Sequence, residues 1–272
     1  MEAIESAFLK DAQRLNEKRL PQLMKRVEKA IKEGQSSVEA MQMPSQKEYR
    51  KLIRNLIVTS SIAGYSRASD EMDRLTRRYN QYSELEELPV YNDDLPPELQ
   101  TFLEEYALQI SVITQETVLN RIKEILIEGL LAGTEPSHLV TAVQASAEAA
   151  LGVGHATTIV RTEMSKMYNA ARLARYTAPE NKGFVVALQY DAIIDNRTTH
   201  ICEHLDGRII AIDRMDLIME YSPPNHFQCR SVWLPVTKFE TWGDDWSTAE
   251  EPQQGFTNGT PDIEELRGLA GS

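Results

Sequence analysis

Up to about residue 180, apolar positions recur with the period of an α-helix. Ile4, Phe8, Ala12 and Leu15 share one face of a 3.6-residue repeat. Pro21 is expected to interrupt this helix, and Leu20, Met24, Val27 and Ile31 form a further stripe that Gly34 and Ser36-Ser37 end. Ser45 and Glu48 have the spacing of a capping box, in which side-chain and backbone donors satisfy each other. Tyr49, Leu52, Ile53, Leu56 and Ala63 follow on one face. The stretch from Leu88 to Pro97, with Pro89, Pro96 and the Asn92-Asp93-Asp94 run, reads as a linker. A long helix is predicted from about Glu98 to Glu128, with Phe102, Tyr106, Ile110, Ile113 and Thr117 on its buried stripe. A shorter one from Thr134 to Leu151 stops at Gly152-Val153-Gly154, and another runs from about Ala156 to Tyr176.

Beyond Gly183 the period shortens. Phe184–Tyr190, Arg208–Ile212 and Ser231–Val236 are rich in β-formers and read as three strands. The 33 residues from Glu240 hold eight acidic side chains and one basic one, among many Pro, Gly, Thr and Ser. Such a composition buries too little apolar surface to offset ordering entropy, so an extended or disordered tail is expected. The pattern is α+β: long helices, a small antiparallel β subdomain near the C-terminus, and an acidic tail. The divisions fall at residues 1–88, 98–239 and 240–272.

A chain of 272 residues buries enough surface to fold without disulfides. Two cysteines argue against a disulfide-rich secreted scaffold and for a reducing compartment. No apolar run reaches the ~18 residues of a membrane span, and the start is acidic where a secretory signal is basic. The expectation is a soluble protein made in cytoplasm, with no membrane partner. The net charge of -12 is uneven. Residues 1–85 carry 16 Lys and Arg against 12 Asp and Glu, and the remainder carries 13 against 29. An acidic body is a poor platform for nucleic acid, so any DNA contact falls to the N-terminal region, where a solvated helix face is the simpler reading of the charge.

Both cysteines and three of the five histidines lie between His200 and Cys229. His226 and Cys229 have the spacing to grip one ion from a tight turn, and Cys202 with His204 or His200 can supply the other half. Two short knuckles carrying Cys and His suit a structural zinc site. The same spacing also admits a polar turn around a buried thiol, or a 202–229 disulfide. A catalytic version needs an open metal position and a base, for which Glu203 and Asp206 are the candidates. HExxH, GxSxG and Gly-rich phosphate-loop motifs are absent. Asp195, Asp206 and Gly207 read as turn formers, since Asp caps its own backbone two residues on and Gly207 permits positive φ. Arg161 and Glu163 read as a helix-surface pair or a brace to the loop, and Arg230 as a bidentate partner for a loop carboxylate.

These residues carry a resemblance. Asp195, Arg197-Thr198, Cys202 and Leu205-Asp206-Gly207, followed by Pro223-Pro224, His226 and Cys229-Arg230-Ser231, are similar to the C-terminal domain of the Mu-type minor head proteins of phage head morphogenesis. The helix with Arg161-Thr162-Glu163 and Asn169 fits, as does the strand Val185–Gln189, and the resemblance covers about residues 100–237. Many members carry a cysteine where this chain has Thr199, which leaves Cys202, His226 and Cys229 as matched positions and His204 or His200 to complete a metal set. The resemblance implies a non-enzymatic structural protein of the virion, assembled in the host cytoplasm. Its partners would be the portal, scaffold or major capsid protein during procapsid assembly, with a link to DNA packaging or delivery. The rival expectation is a metal-dependent hydrolase, most plausibly a nuclease.

Overall fold

The computed structural model describes residues 2–80 and 97–256. The linker of residues 88–97, Pro97 excepted, and residues 257–272 of the tail lie outside them. Contacts sort the chain into two compact units that interleave along it. Residues 1–56 with 103–160 form the first, and the described parts of 57–102 with 161–272 form the second.

The first unit is built from helices. α1 runs unbroken over Glu2–Glu33 with Pro21 inside it, which corrects the expected interruption. Pro21 is exposed, so water can serve the carbonyl that loses its partner. Arg19 and Leu23 are buried on either side of it and hold both turns on one core. A short α2 (Gln35–Glu39) follows Gly34, whose φ is 91°. α3 (Gln46–Asn80) starts after Ser45, whose φ of 52° departs from the extended backbone that a capping box needs. The predicted Ser45–Glu48 box is therefore not made. α4 (Pro97–Leu131) buries Leu103, Ala107, Ser111, Gln115, Val118, Ile122 and Leu126. This face is rotated from the predicted stripe, and Ile113 is 50% exposed. α5 (Pro136–Leu151) starts with proline at its first turn, where the missing N–H costs nothing. Leu23, Val27, Ile122, Leu126, Leu139 and Val143 are central to the shared core.

The second unit gathers part of α3, most of α6 (Val153–Tyr176) and a three-stranded antiparallel sheet. β1 (Val185–Asp191) is central, between β2 (Ile209–Ala211) and β3 (Val232–Thr237). Leu188 pairs with Ile210 on one side and Pro235 on the other, and Tyr190 pairs with Trp233. Pro235 is tolerated because β3 is an edge strand. Short helices α7 (His200–Leu205) and α8 (Met215–Glu220) fill the connections. Buried Arg172 on α6 donates to Glu71 of α3 at 2.9 Å and to the Trp233 carbonyl at 3.1 Å, and the Tyr176 hydroxyl donates to the same Glu71 oxygen.

The described part of the tail, residues 241–256, is extended but not freely solvated. Asp244 and Asp245 accept backbone N–H groups of β2, and Trp246 packs against Tyr190, Tyr221 and Trp233. Among the described residues no helix is long and apolar enough to cross a membrane.

Candidate functional site

Two loops meet beside the end of β1. The first, residues 192–199, leads from β1 into α7, which carries Cys202. The second, Ser222–Ser231, connects α8 to β3 and carries His226 and Cys229. Its Pro223–Pro224 peptide is cis, and Gln228 takes φ 60°.

The first loop is tied by its own side chains. Asp195 accepts the Arg197 N–H at 2.8 Å, the turn expected of an Asp two residues ahead. Thr198 Oγ1 accepts the Asp195 N–H and donates to the Ile193 carbonyl. Asp206 accepts the Ala192 N–H, and Gly207, at φ 77°, donates to the Tyr190 carbonyl. Arg230 then crosses from the second loop to hold both carboxylate oxygens of Asp195, at 2.6 and 2.7 Å. That hydrogen-bonded guanidinium holds the Asp195 carboxyl well below the usual carboxylate range.

Helix α6 braces the second loop. Arg161 donates to the Gln228 side chain at 3.0 Å, and Thr162 accepts the Gln228 N–H. Asn169, 1% exposed, donates to the Ser231 carbonyl at 3.1 Å. Glu163 is buried on the same helix. Of the two expected roles for Arg161, the bond to Gln228 makes the brace.

Cys202 sits where the loops join. Its sulfur lies 3.8 Å from that of Cys229 and 3.2 Å from His226 Nε2. It also accepts from Ser231 at 3.3 Å and lies 3.4 Å from the Tyr190 hydroxyl, which accepts from Asn225. The Cys229 thiol bonded to Cys202, aided by the other donors, pulls the Cys202 thiol down against its burial. Cys229 is pushed up by that same bond and by burial, and burial pushes Tyr190 up, so both remain donors. Burial lowers the His226 pKa, but the bond to Cys202 and its charge outweigh this and raise it.

The donors of Cys202, His226 and Cys229 all lie within 4.8 Å of one another. A tetrahedral zinc with Zn–S near 2.3 Å and Zn–N near 2.05 Å sets ligand separations of roughly 3.8 Å for S···S and 3.6 Å for S···N. The sulfur pair stands at the first distance, and the S···N pair is a few tenths of an ångström short of the second. His226 Nδ1 is 2.9 Å from the Phe227 carbonyl, the bond that fixes a ligating imidazole with Nε2 toward the metal. Two edges of a zinc tetrahedron are thus approximated, and the third, between Cys229 and His226, is no longer than 4.8 Å. His204 is not part of this group, and its Nε2 is buried without a hydrogen-bond partner. His200 is exposed at the start of α7, and the buried Thr199 hydroxyl has no hydrogen-bond partner either. No carboxylate joins the group among the described residues. Glu203 is exposed.

Sequence reasoning passed over Tyr190, Asn225 and Gln228 as parts of the site. Asn225 and Gln228 flank the motif residues His226 and Cys229 directly, which was the available signal. Nothing in the pattern of β1 marks Tyr190 out from its apolar neighbours.

Residues 120–234 match the family model described as phage Mu protein F like protein. The matched stretch runs from the middle of α4 into β3 and contains all the residues of the two loops and their braces on α6. The matched segment is similar to that phage head family, as the loop residues led us to expect. No curated protein and no solved structure matches the chain.

Proposed function

We propose that this chain is a minor head protein of a tailed bacteriophage, a structural part that joins the portal vertex during procapsid assembly and serves DNA packaging or delivery. The observation that carries the reading is the family match over 120–234, which falls on the whole of the clasped loops. The loop chemistry supports it. Asp195, Thr198 and Asp206 are engaged by backbone N–H groups or by Arg230, which suits turn-forming residues. A nuclease needs converging acids at an open metal, and the cluster instead joins two buried thiols and one imidazole.

The same reading makes the cluster a structural zinc site, with Cys202, His226 and Cys229 as ligands and the fourth position filled from outside the group. Its role is to pin the α7 loop to the α8–β3 loop. The portal is the partner we expect, with scaffold or major capsid protein as further neighbours in the virion, and the more basic N-terminal helices are the part to meet DNA.

Purified procapsids test the reading. The chain should co-purify with portal-containing particles, and the isolated protein with added divalent metal should leave plasmid DNA intact. Cleavage that requires metal and disappears in His226→Ala would establish the hydrolase in its place.

A further inference from the structure

The two thiols of the clasp stand close enough to join. Cys202 and Cys229 are both free and each is 3% exposed, and their sulfurs lie 3.8 Å apart. A disulfide bond is about 2.05 Å long, so the sulfurs would have to approach by roughly 1.75 Å. Rotation about each Cα–Cβ bond swings a sulfur without moving the backbone. His226 is only half-buried, so the group meets solvent on its imidazole side.

The two sulfurs have different surroundings. The Cys229 thiol, Ser231 Oγ at 3.3 Å and the Tyr190 hydroxyl at 3.4 Å all face Cys202 Sγ, and His226 Nε2 lies 3.2 Å from it. The Tyr190 hydroxyl already accepts from Asn225, which leaves its proton for the sulfur. Donors converging on one sulfur favour its thiolate, the form that attacks. Cys202 is therefore the attacking sulfur and Cys229 the resolving one.

We propose that Cys202 and Cys229 form a reversible redox pair, closed as a disulfide by a peroxide and reopened by a thiol reductant. The Cys202 thiolate attacks one peroxide oxygen, breaking the O–O bond to give a sulfenic acid and a hydroxide. The Cys229 sulfur then bonds to Cys202 and expels the second oxygen as hydroxide. The Cys229 proton and one from solvent turn both hydroxides into water. The pair loses two electrons, and the peroxide gains them. A disulfide offers no thiolate to a metal, so closure displaces zinc while the two loops stay joined. The setting rests on the head-protein reading: thiols stay reduced in the cytoplasm where a head is built, and the particle later meets an oxidising medium.

The test treats the full chain, reduced and stripped of metal by a chelator, with about one equivalent of hydrogen peroxide under native conditions, the amount that one disulfide consumes. Both thiols should disappear from a thiol titration, and a digest should contain two peptides joined through Cys202 and Cys229. Dithiothreitol should restore the thiols. Chain loaded with zinc beforehand should release it to a chromophoric chelator as the bond forms. Cys229→Ser has no resolving thiol, so its Cys202 should instead carry added oxygen. In the wild type, oxygen on Cys202 without the joined peptide, or thiols that react only after denaturation, overturns the proposal, whether or not Cys229→Ser folds. A chain that takes up no zinc and still closes the bond supports this proposal and ends the metal reading alone.

Discussion

Asp195 holds its loop at both ends: it accepts the Arg197 N–H and takes both donors of Arg230 from the opposite loop. Its folded pKa lies below the ordinary value of 3.8. The sign of the linkage follows: this contribution to stability is complete above about pH 4 and is lost as pH falls through the folded value. The Tm difference between wild type and Asp195→Asn should therefore stay constant from pH 7 to pH 5 and close in more acidic buffer. Cys202 is buried more deeply, and Cys202→Ala leaves the Ser231 and Tyr190 hydroxyls without the sulfur they surround. A loss of about 1–3 kcal/mol in urea unfolding is expected. Elemental analysis of protein purified without chelators should find one zinc per chain, absent from His226→Ala. These residues were legible because Cys and His are few and closely spaced. Arg19 was not: in the sequence it counts toward a basic, solvated helix face, and only the packing of α1 with α4 makes it a buried cation.

At the scale of elements, periodicity located the helices and the change of period located the strands. It failed where polar residues are buried. α4 turns Ser111 and Gln115 inward, so the continuous apolar stripe one position away read as the core face. Composition failed in a different way at Trp246. Averaged over 33 residues the tail looks unable to pack, yet this one indole lies 5.4 Å from both the Tyr221 and Trp233 rings. Trp246→Ala should cost about 2–4 kcal/mol in urea unfolding, near the lower end of buried aromatic truncations because the residue is partly exposed. Gly64 gives a sharper case. In an exposed helix, glycine to alanine gains about 1 kcal/mol, but a Cβ at Gly64 would run into the Tyr168 carbonyl of α6. Both atoms involved are backbone-bound and neither can swing aside, so Gly64→Ala should lower Tm, whereas Gly154→Ala, with open space around it, should not.

Across the whole molecule, the interleaving of the two units was beyond the reach of the sequence. Each unit draws on segments far apart in the chain, and a helical period records which face is buried but not which partner buries it. The resemblance was more legible than topology, because the loop residues that carry the similarity to the phage Mu protein F like family are local and chemically distinctive. A body with 13 basic against 29 acidic residues after position 85 suits a protein that works near packaged DNA without adhering to it. Quantifying the chain in purified procapsids by mass spectrometry, for wild type and for a Cys202→Ala, Cys229→Ala double variant, addresses the central claim most directly. The account predicts a fixed, low copy number that follows the portal in wild-type particles and falls sharply in the variant. Equal incorporation of the variant, or procapsids that assemble and package normally with no copy of the chain in them, would contradict it.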